Sequence, residues 1–206
     1  MKTRIFNLLI LDESGSMTCI EKEAVDSVNE TLQSVRSAQQ TYEEQEHYVS
    51  FVTFNSNGIK TVLDRVEALK AEDITAAQFN PACRTPLYDA IGQSVMELKQ
   101  HVDEHDKVLV TIITDGYENA STEYDRTSVK ALTEKLDKQG WTFAYIGANQ
   151  DAQAVSHELG IKNAMNFQAT VCGTATMSKK LSKSRLDWFS KIANFYTNIG
   201  EGFFDE

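Results

Sequence analysis

The stretch that decides the fold is Ile5-Phe6-Asn7-Leu8-Leu9-Ile10-Leu11-Asp12-Glu13-Ser14-Gly15-Ser16. An almost continuous apolar run stops abruptly at a carboxylate. Such a run suits a strand buried on both faces, as parallel strands are. A second run has the same form: Lys107–Thr114 contains Val-Leu-Val-Thr-Ile-Ile and stops at Asp115-Gly116. Outward from these two strands, the apolar period changes from element to element. Thr18 and Glu21 have the spacing of a capping box, and Val25, Val28, Leu32 and Val35 then mark one face of a helix. Tyr48–Phe54 reads as a strand. Asn57-Gly58 is a hairpin turn, and Ile59–Val66 returns antiparallel as an edge strand.

Pro86 suits the first turn of a helix striped by Leu87, Ile91, Val95 and Leu98. Val129, Leu132 and Leu136 line another helix, for which Gly140 is the C-terminal stop. Trp141–Ile146 and Asn163–Phe167 read as strands, with a short helix around Val155 and Leu159 ending at Gly160. Leu186, Phe189, Ile192, Ala193 and Tyr196 mark a C-terminal helix, while Ala169–Ser184 carries the weakest pattern. Strands alternating with helices predict an α/β fold. The sheet is doubly wound and mostly parallel, with one antiparallel edge strand and helices on both faces. The expected organisation is one domain over residues 1–168 and a helical extension over 169–206, packed on or flanking it.

Composition narrows the function. The 206 residues hold 20 Lys+Arg against 30 Asp+Glu, a formal charge of −10. That disfavours nucleic acid, whose binding releases phosphate counterions to a basic face. It equally disfavours docking on an anionic membrane. Up to Gly160 the count is 14 basic to 26 acidic residues; beyond it, 6 to 4, so the C-terminal segment could lie against its own acidic body. No stretch is long and apolar enough to span a bilayer. Asp12 and Glu13 interrupt the N-terminal apolar run as a signal peptide would not allow. Cys19, Cys83 and Cys172 form neither a disulfide framework nor a zinc pattern. They are expected to be buried and inert, and a reducing cytoplasm is the default compartment. His101 and His105 stand four apart in a polar segment, which reads as a solvated helix end. The lysines after residue 178 read as a solvated face.

In a doubly wound sheet of order 3-2-1-4-5-6, strands 1 and 4 are neighbours at the switch point, where ligands gather. Asp12 and Asp115 would face each other there, with Thr85 brought to the same rim by its helix. Two carboxylates and the hydroxyls of Ser14, Ser16 and Thr85 are all hard oxygen donors, suited to a cation such as magnesium. The hydroxyls would bind directly while the aspartates hold waters around the ion. Neutral hydroxyl ligands leave the ion much of its charge, so its open position would favour an outside carboxylate.

Asp12-x-Ser14-x-Ser16, Thr85 and Asp115-Gly116 together resemble the metal-ion-dependent adhesion site of the von Willebrand factor type A family. The run Arg84-Thr85-Pro86-Leu87-Tyr88-Asp89-Ala90-Ile91 looks like many bacterial members, and the likeness spans roughly residues 5–167. The resemblance implies a Rossmann-like fold. It also implies a non-catalytic module that holds magnesium or manganese and captures an Asp or Glu of a partner protein. Arg84 departs from the pattern, since many relatives carry glycine before the threonine. Inward it would weaken the metal; outward it would help hold an anionic partner. Glu13, Met17, Asn55, Arg84, Tyr117, Glu118 and Asn119 are expected on the partner-binding rim. Two other readings compete. A metal-dependent phosphohydrolase would use Asp12 as nucleophile, but Ser14 stands where its acid/base aspartate should be. A scaffold that no longer needs metal is the other.

Overall fold

The computed structural model describes residues 2–205. β1 (Thr3–Asp12) lies at the centre of a six-stranded sheet. It pairs in parallel with β2 (Gln45–Asn55) on one side and with β4 (Lys107–Thr114) on the other. β3 (Gly58–Glu67) returns antiparallel to β2 across the Asn57-Gly58 turn, where Gly58 takes φ +148°. β5 (Trp141–Ala148) and β6 (Asn163–Phe167) extend the sheet in parallel, giving the order β3-β2-β1-β4-β5-β6. This is the predicted doubly wound sheet with its antiparallel edge.

Alternate residues of β1 feed two cores. Ile5, Leu9 and Leu11 pack with α1 (Glu21–Thr41) and α5 (Val171–Ala193). Phe6, Leu8 and Ile10 pack with α2 (Leu87–Lys99) and α3 (Arg126–Asp137) on the opposite face. Leu159 and Ile161, which follow α4 (Ala152–Glu158), join that second core. Burying a Leu or Ile side chain contributes about 1.5–3 kcal/mol, so a strand that feeds both cores has its register firmly set.

Three local expectations need correction. Thr18 does not cap α1. Residues Gly15–Ile20 wind into a 3-10 turn in which Thr18 Oγ1 donates to Gly15 O, and α1 begins afterwards without a side-chain cap. The C-terminal helix starts at Val171, inside the stretch with the weakest pattern, and buries Phe189 and Ile192 of the expected stripe but not the rest of it. Leu186 is 42% exposed and Tyr196 lies beyond the helix, whereas Arg185 and Trp188 are buried. Trp188 Nε1 donates to Thr142 Oγ1 at 3.1 Å, which fixes that rotation. All three cysteines are exposed and reduced, because each sits on a turn or a helix end and not on a core face.

The chain after α5 folds back on the sheet. Asn163 Nδ2 donates to Phe143 O and Gly200 O, and its Oδ1 accepts from Phe203 N. Ile199, Phe203 and Phe204 are buried in the α1/α5 core. His101 and His105 are exposed beyond the end of α2.

Candidate metal centre

The carboxyl ends of β1 and β4 meet at the rim, as do the loops that follow them. Asp12, the last residue of β1, is fully buried, and both of its oxygens are engaged. Oδ1 accepts from Ser14 N at 2.8 Å and Oδ2 accepts from Thr114 Oγ1 at 2.6 Å. Burial pushes its carboxyl up to about 6 against these two bonds, which pull it down. The 3-10 turn then lifts Ser14 and Ser16 to the rim. Ser16 is the hub. Its Oγ donates to Asp115 Oδ1 at 2.6 Å and lies 3.1 Å from Ser14 Oγ. Burial also holds the Asp115 carboxyl above the usual carboxylate range, with the Ser16 bond opposing it.

Thr85 comes from the segment before α2. Its place in the cluster is shown by Gly116. A methyl group built on Gly116 would lie 3.3 Å from Thr85 Oγ1, 3.8 Å from Ser16 Oγ and 4.0 Å from Asp12 Oδ2. Oxygens from two separate segments, the end of β1 with its turn and the segment before α2, therefore converge on one small space beside Gly116. All five sequence-predicted residues are brought together. The donor set is entirely oxygen, neutral hydroxyls backed by two carboxylates, and it fits a hard divalent cation such as magnesium. Among the described residues no three His, Cys, Asp or Glu side chains cluster as a metal site, so a cation held here would take most of its protein donors from hydroxyls.

The surrounding loops are held by side-chain brackets. Asn119 Oδ1 accepts from Thr85 N at 2.9 Å, and Asn119 N donates to Thr85 O at 3.1 Å. Glu118 accepts from Tyr88 N, Ala120 N, Ser121 N and Ser121 Oγ. Asp89, on the first turn of α2, accepts from Thr122 N, Glu123 N and Tyr124 N. The start of α2 and the loop after β4 thus form one body, which sets Thr85 relative to Asp115. On the other side, Gly15 N donates to Cys83 O at 3.1 Å, and Glu13 Oε1 accepts from Asn80 N.

These brackets correct the expected rim. Met17 is fully buried, because the 3-10 turn points it into the α1/α5 core. Glu13, Asn55 and Glu118 spend their polar groups on holding loops: Asn55 Nδ2 donates to Glu13 O, and its Oδ1 accepts from Asn57 N. Asn119 is a bracket too. Arg84 and Tyr117 remain solvent-facing, Tyr117 at 60% exposure. Sequence reasoning gave no role to Thr114, Gly116 or Asp89. Thr114 and Gly116 flank Asp115 in the motif itself. Asp89 gave no signal, since its partners lie more than thirty residues away.

The family model of the von Willebrand factor type A domain matches residues 8–178. No curated protein sequence matches the chain. Among solved structures, the pilus adhesin SpaC of Lactobacillus rhamnosus GG in its open conformation is similar at 14% identity and TM-score 0.66, over 92% of this chain and 30% of that one. The chain thus spans less than a third of the adhesin's length. The SpRpn10 VWA domain is similar at 12% identity and TM-score 0.62, over 96% of this chain and 97% of its own. The vWF domain of the type V pili tip protein Mfa5 from Porphyromonas gingivalis aligns at 8% identity and TM-score 0.61, over 89% and 96%.

Proposed function

Since the chain belongs to the von Willebrand factor type A family, we propose that it is a non-catalytic module that binds a partner protein through a divalent cation. Asp12, Ser14, Ser16, Thr85 and Asp115 hold magnesium or manganese, and the partner presents an Asp or Glu to it. The observation that carries this reading is the convergence of oxygens on the space beside Gly116. When bound, the ion supplies a positive coordination position for a carboxylate. The chain's own residues do the rest. Thr114 and the Ser14 amide orient Asp12, and Asn119 fixes Thr85. Ser16 and Asp115 lie at the solvent-facing mouth, where a partner can reach.

The full burial of Asp12 supports binding over hydrolysis. A nucleophilic aspartate needs access to the substrate and an acid or base beside it. Among the described residues, Asp12 is bonded to a hydroxyl and an amide and is buried from any substrate.

Thermal unfolding tests the proposal. Ligand that binds only the native state stabilises by RT ln(1 + [L]/Kd), about 2.7 kcal/mol at a hundredfold excess over Kd. Chelator-treated protein is expected to gain stability saturably with magnesium or manganese, and Asp115→Ala is expected to lose that gain. A flat response at millimolar metal would favour the metal-independent scaffold, in which the hydrogen bonds of Ser16 to Asp115 and Ser14 are the final state of the site.

A further inference from the structure

The fate of the arginines singles out one of them. The chain has six, at positions 4, 36, 65, 84, 126 and 185. Arg4 pairs with Asp103 and Asp106, Arg36 with Asp73, Arg65 with Asp64 and Arg126 with Glu158. Arg185 is buried against the hydroxyls of Thr31 and Thr111. Arg84 alone has an exposed guanidinium that makes no hydrogen bond or ion pair among the described residues. It is the one exposed arginine among the described residues without a carboxylate partner. This one precedes Thr85, a residue of the candidate metal centre.

Its backbone is not loose. Arg84 N donates to Ser56 Oγ at 3.2 Å, and Ser56 N donates to Arg84 O at 3.0 Å. The next residue is gripped at both its N–H and its C=O by Asn119. The base of the side chain is therefore fixed relative to the cation site while its head faces solvent. With Thr85 turned inward and Arg84 outward, the guanidinium is placed for something that arrives from outside. A planar guanidinium offers a fork of N–H donors that matches a carboxylate with two parallel bonds.

We infer that the segment recognised at this rim is di-acidic: one carboxylate goes to the cation and a second, one or two residues away, goes to Arg84. This inference rests on the proposed cation-dependent capture and adds the chemistry of the partner. It also gives Arg84 a role as a specificity-determining residue.

The test uses the full chain with saturating magnesium and NMR titration of short blocked peptides. Ac-Asp-Asp-NH2 and Ac-Asp-Gly-Asp-NH2 are compared with Ac-Asp-Asn-NH2 and Ac-Asp-Gly-Asn-NH2. At least one di-acid is expected to bind about three- to fivefold tighter than its mono-acid partner, the return of an exposed but geometrically matched ion pair. The preference should disappear in Arg84→Gln and fall between the two in Arg84→Lys, which keeps the charge and loses the fork. The preference is a ratio within one protein, so a general loss of stability in a variant does not mimic it. Mono-acid binding with no di-acid preference, or a preference that survives Arg84→Gln, overturns this inference and leaves the cation reading standing. Failure of every peptide to shift the rim resonances overturns both.

Discussion

Gly116 shows how a residue without a side chain can define a site. Its missing Cβ leaves open the space on which Thr85, Ser16 and Asp12 direct oxygens. Its backbone does not lie in the left-handed region, so alanine there is not strained. Gly116→Ala is therefore expected to change the stability of the metal-free protein by no more than about 1 kcal/mol, within the range of ordinary substitutions. The same methyl would occupy the cation's space and abolish stabilisation by magnesium. Melting curves with and without metal check both halves, and a variant that still responds to magnesium would contradict the placement of the ion. At this scale the motif residues were legible in the sequence, because each follows an apolar run or opens a helix. What holds them was not. Asn119 meets Thr85 across 34 positions, and Glu13 meets Asn80 across 67. No local pattern encodes such pairs.

At the scale of elements, the strands were legible because buried parallel strands leave continuous apolar runs. α5 was only partly legible: Phe189 and Ile192 are buried as expected, but its inward face also carries an arginine and several serines. Arg185 is buried with its Nε unpartnered, and burial pulls its guanidinium down to about 10. An apolarity count cannot find such a face. α5 is tied to β2 through His47 and Gln45. Gln45 Nε2 donates to Phe189 O, its Oε1 lies 2.9 Å from His47 Nε2, and the imidazole meets the Phe189 ring edge-on at 4.6 Å. Burial lowers the His47 imidazole to about 4. The unfolded chain binds a proton near pH 6.5, and the native state does not until about pH 4. The contribution of His47 is thus present above 6.5 and is lost as pH falls to 4, about 3 kcal/mol at most. Asp12, raised to about 6, acts in the opposite sense between its ordinary value near 3.8 and 6, because there the native state holds the extra proton. The comparison of wild type with His47→Gln isolates the histidine. The variant should lose less stability than wild type between pH 6.5 and 4, as read from urea midpoints at each pH. Equal losses would show that the imidazole titrates normally.

At the scale of the molecule, the topology does the assembling. Placing β1 beside β4 brings a carboxylate from each to one rim, and the segment leading into α2 completes the oxygen set. Two helices and the C-terminal segment cover one face of the sheet, three helices the other, and the switch point between β1 and β4 stays accessible. The sheet order was foreseen because right-handed crossovers leave few alternatives. The most direct test of the cation site is electron paramagnetic resonance of manganese titrated into chelator-treated protein, with acetate added afterwards. The account predicts one saturable manganese site that Ser16→Ala and Asp115→Ala each weaken at least about tenfold, a loss of about 1.4 kcal/mol, and a bound-ion spectrum that acetate alters. Manganese that stays free at millimolar protein, or binds equally well in both variants, would contradict it.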